Sequence, residues 1–590
     1  MIPVVRNGPG RFEFSRRSFT HSFDAYGKLC SWKFPGNGTA FFTTKFLKSK
    51  FYIDSSNTND IAPYTIFGAV VPEFSELQKF VALSRGVDNM NVNIVRFYNE
   101  SNGKFDYVTV SDIWKIHVVD PLSLTTKRSV TANIPKGHQY TGSVKLYTTL
   151  STAHPLPEPG TKYHITYVSE VSLIPGLKNK MILVKIKSAE EREAIAEWEV
   201  DRVSYMHSFS VTSNYAVFFA IPYFISISKM IWYMDMFEGL EWFGDRPTLV
   251  YVVDLRNGEI RTLKTENMFF LHHVNAFEIG TSKLIVDIAT YHSPEFLKVF
   301  EMTTLMDPVN RNKFDAHAHL KRYHIDLNAN KILVQSFTPP KHIPFATYID
   351  MVTINEHYRF RNNCFVYGAV LNKDNIKFSQ IALIKKDLCG RNRDAYWYLP
   401  AHYPTEAWFV PSPSSSKEDD GILITPILDG QKKMSYLAIL DAKTMNLTHK
   451  AYLPTTIPLS FHGRNSPSRI GTKSVEGASI DKGSRKVRKD VAKYHSHYKW
   501  LTVKQLHIPV PDSQVEIQDA SLERKKGSMA KFILKDEDYS QCLRKNKTVR
   551  IPSEKRSSTM VSGLAKFLLN LLKFFSIPFF QLSLISIHMK

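Results

Sequence analysis

Thr248-Leu249-Val250-Tyr251-Val252-Val253 is a run of β-branched, aromatic and aliphatic residues with no polar side chain after its opening threonine. Such side chains suit a pleated strand. Similar runs recur along the chain, among them Asn93-Ile94-Val95-Arg96-Phe97-Tyr98, Tyr215-Ala216-Val217-Phe218-Phe219-Ala220 and Gly421-Ile422-Leu423-Ile424-Thr425-Pro426. From Arg6 to about Arg464 they are broken by Gly, Pro, Asn and Asp, which predicts many short strands joined by turns. Closed all-β architectures often exceed ordinary domain size as single units. In a chain of 590 residues the pattern therefore favours a propeller over a sandwich. Helix is the exception. Between Ser226 and Phe243, the residues Ile227, Met230, Ile231, Met234, Phe237 and Trp242 recur at roughly helical spacing, and an apolar helix is expected there.

The formal net charge is +21, from 76 Lys and Arg against 55 Asp and Glu. An excess of this size would ordinarily suggest nucleic acid or an anionic surface. Its clusters lie late in the chain, in Arg485-Lys486-Val487-Arg488-Lys489 and Arg524-Lys525-Lys526. No nucleic-acid-binding motif accompanies them, and no nucleic acid partner is expected. The four cysteines, Cys30, Cys364, Cys389 and Cys542, have neither zinc-site spacing nor the density of a disulfide scaffold, which fits a reducing compartment. The first ten residues carry no continuous apolar stretch, so no secretory signal is expected. A cytoplasmic or peripherally membrane-associated protein is the reading.

Composition divides the chain into 1–464, a basic 465–562 with few apolar residues, and an apolar 563–590. The middle stretch is expected to be largely disordered. In the last one, Phe567 to Ile587 is long enough to cross a bilayer but is interrupted by Asn570, Lys573 and Pro578, so it is a candidate membrane anchor. Near the end of the strand-rich part, Glu418-Asp419-Asp420-Gly421 is an acidic run without the spaced ligands of a calcium loop, expected to be a solvated turn.

Four histidines stand in distinctive settings: Thr152-Ala153-His154-Pro155, Met206-His207-Ser208-Phe209, Phe270-Leu271-His272-His273-Val274-Asn275-Ala276 and Phe461-His462-Gly463. In that order the settings resemble those of the carotenoid cleavage oxygenases, in their animal branch, which includes β-carotene oxygenases and a retinoid isomerase. Arg6-Asn7-Gly8-Pro9-Gly10 and His21-Ser22-Phe23-Asp24 also resemble an early part of the family pattern, where a further N-terminal strand precedes them; its absence here would leave a sheet incomplete.

The resemblance implies a seven-bladed β-propeller with a helical cap over an iron face. It implies one Fe2+ bound by His154, His207, His272 and His462, with His272 rather than His273 as the ligand of its pair. It implies cleavage of a carotenoid or apocarotenoid by dioxygen, with the substrate drawn from a membrane surface. A retinoid ester isomerohydrolase and a non-catalytic propeller that binds an apolar ligand or a protein are the alternatives. Neutral imidazoles suit divalent iron, and four of them leave two octahedral positions open.

In the family three glutamates orient the ligating rings. Glu406, in Pro404-Thr405-Glu406-Ala407-Trp408, matches one and is expected to orient His462. At the other two places stand Asp112 and Asp350, shorter by one carbon–carbon bond of about 1.5 Å. A direct bond to His207 or His272 is then expected to need a shift or an intervening water. The series Asp112, His154, His207, His272, Asp350, Glu406, His462 advances by 42, 53, 65, 78, 56 and 56 residues. That spacing is consistent with one axis-facing position per blade, at roughly 40 to 50 residues per blade plus loops.

Overall fold

In a computed structural model of the protein, the run that opens with Thr248 is the strand Thr248–Asp254, flanked antiparallel by Tyr215–Ala220 and Ile260–Thr265. Its side chains alternate between two different cores. Val250 and Val252 face one, Tyr251 and Val253 the other. A sheet covered on both faces has no use for polar alternation, which is why the run reads as continuously apolar. The structure describes residues 4–464 apart from 35–39, 134–148, 172–177, 227, 231–235, 312–317, 338–339, 341–342, 346–348, 372–379, 414 and 459. The basic stretch and the apolar segment expected after residue 464 lie outside the described residues.

The described residues are mostly β, with few helices, and include seven antiparallel sheets of four or five strands. Six follow one another along the chain. One long strand of each is Lys104–Val110, Arg192–Val200, Thr248–Asp254, Phe269–Ile279, Phe365–Leu371 and Gly421–Asp429. The remaining sheet joins the two ends of this region: His462–Arg464 pairs with Val4–Asn7, which pairs with Lys28–Lys33, followed by Phe41–Phe46.

Each sheet shares a core with the next. Val5 and Leu29 pack with Ile94 and Val119; Val95 and Phe97 with Ile186; Tyr167 and Leu183 with Phe218 and Val253; Val217 and Val252 with Val286 and Tyr323. The series continues with Val274 and Leu320 against Val366 and Ile384, and Tyr367 and Leu383 against Leu423 and Tyr436. It returns to its start through Ile424 and Leu437, which pack with Val4 and Trp32.

Three expectations are corrected. Within Ser226–Phe243 only residues 228–230 are helical among those described, residues 236–239 form a turn, and Leu240–Trp242 pairs antiparallel with Tyr223–Ile225. Aromatic side chains at the end of the segment fit a two-stranded ladder as well as a helix face, and pairing decided between them. The acidic run is not solvated throughout. Asp419 is buried with its carboxylate 2.6 Å from Lys385 Nζ, and Glu418 accepts the backbone N–H groups of Cys364 and Phe365. Finally, Cys364 and Cys389 form a disulfide. They flank the paired strands Phe365–Leu371 and Ile381–Asp387, whose register sets Phe365 opposite Asp387, so an antiparallel pairing brings together cysteines 25 residues apart.

Among the described residues the helices are short: Lys50–Thr58, Glu76–Arg85, Met302–Met306 and Pro308–Arg311, the helical residues 228–230, and three 3-10 turns. The longest, Glu76–Arg85, starts at a Ser75 capping box in which Ser75 Oγ accepts Gln78 N–H and Gln78 Oε1 accepts Ser75 N–H, satisfying two otherwise orphaned donors.

Candidate metal centre

The seven residues of the predicted series come from seven different sheets or the turns beside them. His462 opens the strand His462–Arg464, Asp112 follows Lys104–Val110, and His154 follows Thr149–Leu150. His207 precedes Ser210–Val211, His272 lies within Phe269–Ile279, Asp350 opens Asp350–Thr353, and Glu406 lies between His402–Pro404 and Trp408–Pro411. The structure brings all four histidines together, with one ring nitrogen of each within 4.8 Å of the others. His154 Nε2 stands 3.0 Å from His207 Nε2, and His272 Nε2 3.2 Å from His462 Nε2. Bonds of about 2.1 Å to one ion, near right angles to each other, would separate neighbouring nitrogens by about 3.0 Å. The group can hold a metal ion. His273 points elsewhere: its Nδ1 meets Ser210 Oγ at 2.7 Å.

Three of the rings are fixed from behind. His207 Nδ1 lies 2.7 Å from Asp112 Oδ2, His272 Nδ1 2.6 Å from Asp350 Oδ1, and His462 Nδ1 3.0 Å from Glu406 Oε1. A carboxylate accepting the Nδ1 proton leaves the Nε2 lone pair free for a metal and sets the ring's direction. Both aspartates therefore bond their histidines directly, by the shift rather than by a bridging water.

The backbone supplies the shift. Asp112 is clipped into the loop that carries His154, accepting Ala153 N–H on Oδ1 at 3.0 Å and Ser151 N–H on its carbonyl at 3.1 Å. At Asp350 the pairing with Phe365–Leu371 slips between Asp350 and Thr353, and Met351 has φ of 52°. A bulge of this kind re-aims a side chain. The positive φ costs a non-glycine residue roughly 1–2 kcal/mol.

Sequence reasoning missed three further groups. Tyr205 donates its hydroxyl to Asp112 Oδ2 at 2.8 Å, and Tyr291 donates to Asp350 Oδ2. Arg6, 1% exposed, donates to the carbonyls of Glu406 and Phe461 and to Ser460 Oγ, and its guanidinium lies 3.6 Å from Glu406 Oε2. Arg6 and Tyr205 stand inside or beside motifs already singled out. Nothing in the sequence marks Tyr291, which reaches the site by pairing across from Phe269.

Burial alone would lower the His272 pKa, but the facing Asp350 carboxylate holds it above the ordinary value. Burial likewise works against the charge on Asp350, yet His272 and the Tyr291 hydroxyl keep its carboxyl below the usual range. For His462 burial wins over Glu406, and the ring is held neutral. Burial and the Asp112 carboxylate together push the Tyr205 hydroxyl well above its normal range, so it acts as a donor.

Beside the histidines lies a cavity of about 260 Å3, with His207, His272 and His462 in its wall. Phe67, Met230, Met236, Leu240, Phe296 and Phe300 are among its apolar lining. Among the described residues, this face is covered by the helical residues 228–230, a hairpin, turns and the 3-10 turn Pro294–Phe300.

Residues 4–466 match the family model described as retinal pigment epithelial membrane protein. The chain belongs to that family. Among relatives, it is 25% identical over 504 residues to a β,β-carotene 15,15'-dioxygenase of Mus musculus, covering 78% of this chain and 86% of the relative. It is 25% identical over 521 residues to a mitochondrial carotenoid-cleaving dioxygenase of Pongo abelii, covering 79% and 89%. Among solved structures, a cobalt-substituted Synechocystis apocarotenoid oxygenase superimposes with a TM-score of 0.63 at 21% identity, over 78% of this chain and 91% of that one. This last likeness speaks for the family fold.

Proposed function

We propose that this member of the family is an iron(II)-dependent dioxygenase that cleaves a carbon–carbon double bond of a carotenoid or apocarotenoid. The observation that carries the reading is the convergence of four imidazole nitrogens beside an apolar cavity. The names of its relatives supply the substrate class. One dioxygen molecule and one double bond yield two carbonyl groups; the σ and π bonds between the carbons and the O–O bond break, and two C=O bonds form. No proton enters or leaves.

His154, His207, His272 and His462 would hold the iron. Bound there, the ion would supply the means of activating dioxygen, which is otherwise slow to attack a closed-shell polyene. Four neutral ligands leave it dicationic, unlike a site that includes a carboxylate ligand. Asp112, Asp350 and Glu406 orient the rings, and the apolar wall holds the polyene and excludes water.

The seven sheets are, on this reading, the blades of a propeller. Their circuit of shared cores and the likeness to the Synechocystis enzyme support that arrangement. Substrate would arrive from a membrane surface: Val71, Leu77 and Phe80, on and before the helix Glu76–Arg85, are 58%, 74% and 40% exposed. Among the described residues no helix is long and apolar enough to cross a membrane.

The test is direct. The full chain should be purified, its iron measured, and the protein incubated with β-carotene and other carotenoids under oxygen. Near-stoichiometric iron and aldehyde or ketone products are expected. Iron far below one per chain together with no carbonyl product from any of several carotenoids would overturn the reading.

A further inference from the structure

Asp112 and Asp350 share an arrangement that Glu406 lacks. Each accepts an imidazole N–H and a tyrosine hydroxyl, from Tyr205 and Tyr291 respectively. Glu406 has a buried guanidinium instead, that of Arg6. The two tyrosines reach their carboxylates by unrelated routes. Tyr205 stands two residues before His207, whereas Tyr291 ends the strand Lys283–Tyr291 beside the one that carries His272. Two independent elements thus solve the same local problem.

The problem is rotational. An aspartate has one side-chain torsion fewer than glutamate, so once the backbone and χ1 have set its carboxyl group in place, the remaining freedom is rotation of the carboxylate plane. At Asp112 a backbone N–H holds Oδ1, and Oδ2 is set by His207 and Tyr205. At Asp350 the neighbouring N–H and His272 hold Oδ1, while Tyr291 holds Oδ2. Both tyrosines also line the same cavity as their histidines.

We propose that Tyr205 and Tyr291 are positioning residues, whose hydroxyls lock the two short carboxylates in the plane that keeps Nε2 of His207 and His272 aimed at the metal position. The inference rests on reading the four histidines as a metal site. Removing either hydroxyl frees its carboxylate to turn, loosens the ring it holds and weakens the metal, without removing any ligand.

Cobalt(II) binding to the full chain tests this without relying on turnover. Affinity and the visible absorption of the bound ion would be recorded for the wild type, Tyr205→Phe, Tyr291→Phe, Asp112→Asn and the double variant Tyr205→Phe/Asp112→Asn. Each tyrosine variant is expected to weaken cobalt binding about tenfold and to alter the spectrum. In the double variant the loss of the Tyr205 hydroxyl should add nothing, because it acts through Asp112. A wild type that binds cobalt, with both tyrosine variants within twofold of it and spectrally identical, overturns this inference alone. An undiminished effect of Tyr205→Phe in the Asp112→Asn background overturns it as well. A wild type that binds no cobalt, or a His207→Ala/His272→Ala variant that binds as tightly, overturns the metal reading and this inference with it.

Discussion

At the scale of single residues, the three carboxylates behind the histidines differ in what else depends on them. Glu406 faces both His462 and the buried Arg6, so Glu406→Gln removes a countercharge as well as an orienting group. It is expected to weaken metal binding by about 10- to 100-fold and to cost about 3 kcal/mol of stability, because the guanidinium is left buried without its partner. Asp112→Asn has no such cation beside it and should lower metal affinity with a much smaller change in melting temperature. Metal titration and thermal melts of the metal-free proteins separate the two effects.

His21 gives a second prediction at this scale. Its Nδ1 accepts Phe23 N–H at 3.2 Å while Nε2 lies 3.1 Å from the Leu297 carbonyl, an arrangement that requires a neutral ring. Burial lowers its pKa to about 4. An unfolded histidine titrates near 6.5, so between these values the unfolded chain holds a proton the folded one does not. The stabilisation is complete above pH 6.5 and is lost as the pH falls towards 4, by about 3 kcal/mol in all. Melting temperatures measured from pH 7 to 4 should therefore fall less steeply in His21→Gln than in the wild type.

Among elements, the strand His462–Arg464 carries one of the four converging histidines and depends on a glycine. A Cβ at Gly463 would stand 2.4 Å from the Val5 carbonyl oxygen and 2.8 Å from Arg6 Cα. Gly463→Ala should force this strand away from Val4–Asn7, costing about 1–3 kcal/mol and moving His462 off the metal position. Melting and cobalt titration of the one variant should show both losses. Strands such as Thr248–Asp254 were legible from the sequence because burial on both faces makes them uniformly apolar. The convergence of the four histidines was legible from their neighbours in sequence. The reach of Asp112 and Asp350 was not, because it depends on a clipped loop and a slipped register, which no side-chain length reveals. The stretch ending at Trp242 was misread for a related reason: its pairing with Tyr223–Ile225 is a tertiary choice that periodicity does not record.

For the whole molecule, the circuit of cores ties the end of the family region to the group of four histidines. A chain ending at residue 466 should fold and bind cobalt like the full protein. One ending at residue 458 loses His462, the strand beside Val4–Asn7 and the Ser460 hydroxyl that receives Arg6, and should neither bind the metal nor melt cooperatively at the same temperature. Calorimetry and metal titration of the two truncated chains provide the check. The spacing of seven polar positions was consistent with the number of sheets. The Cys364–Cys389 disulfide was not foreseen, since a separation of 25 residues becomes a contact only once the two strands between them pair.

The seam between Val4–Asn7 and His462–Arg464 also has a meaning in time. Ribosomes make a chain from its N-terminus at about 5–20 residues per second, so Val4–Asn7 waits roughly half a minute or longer for the strand that will lie beside it. Throughout that interval the nascent protein carries at most three of its four imidazoles and cannot complete the nest that would hold an ion. An ion held by all four rings would thus be acquired late in biosynthesis, timed by the arrival of one short strand.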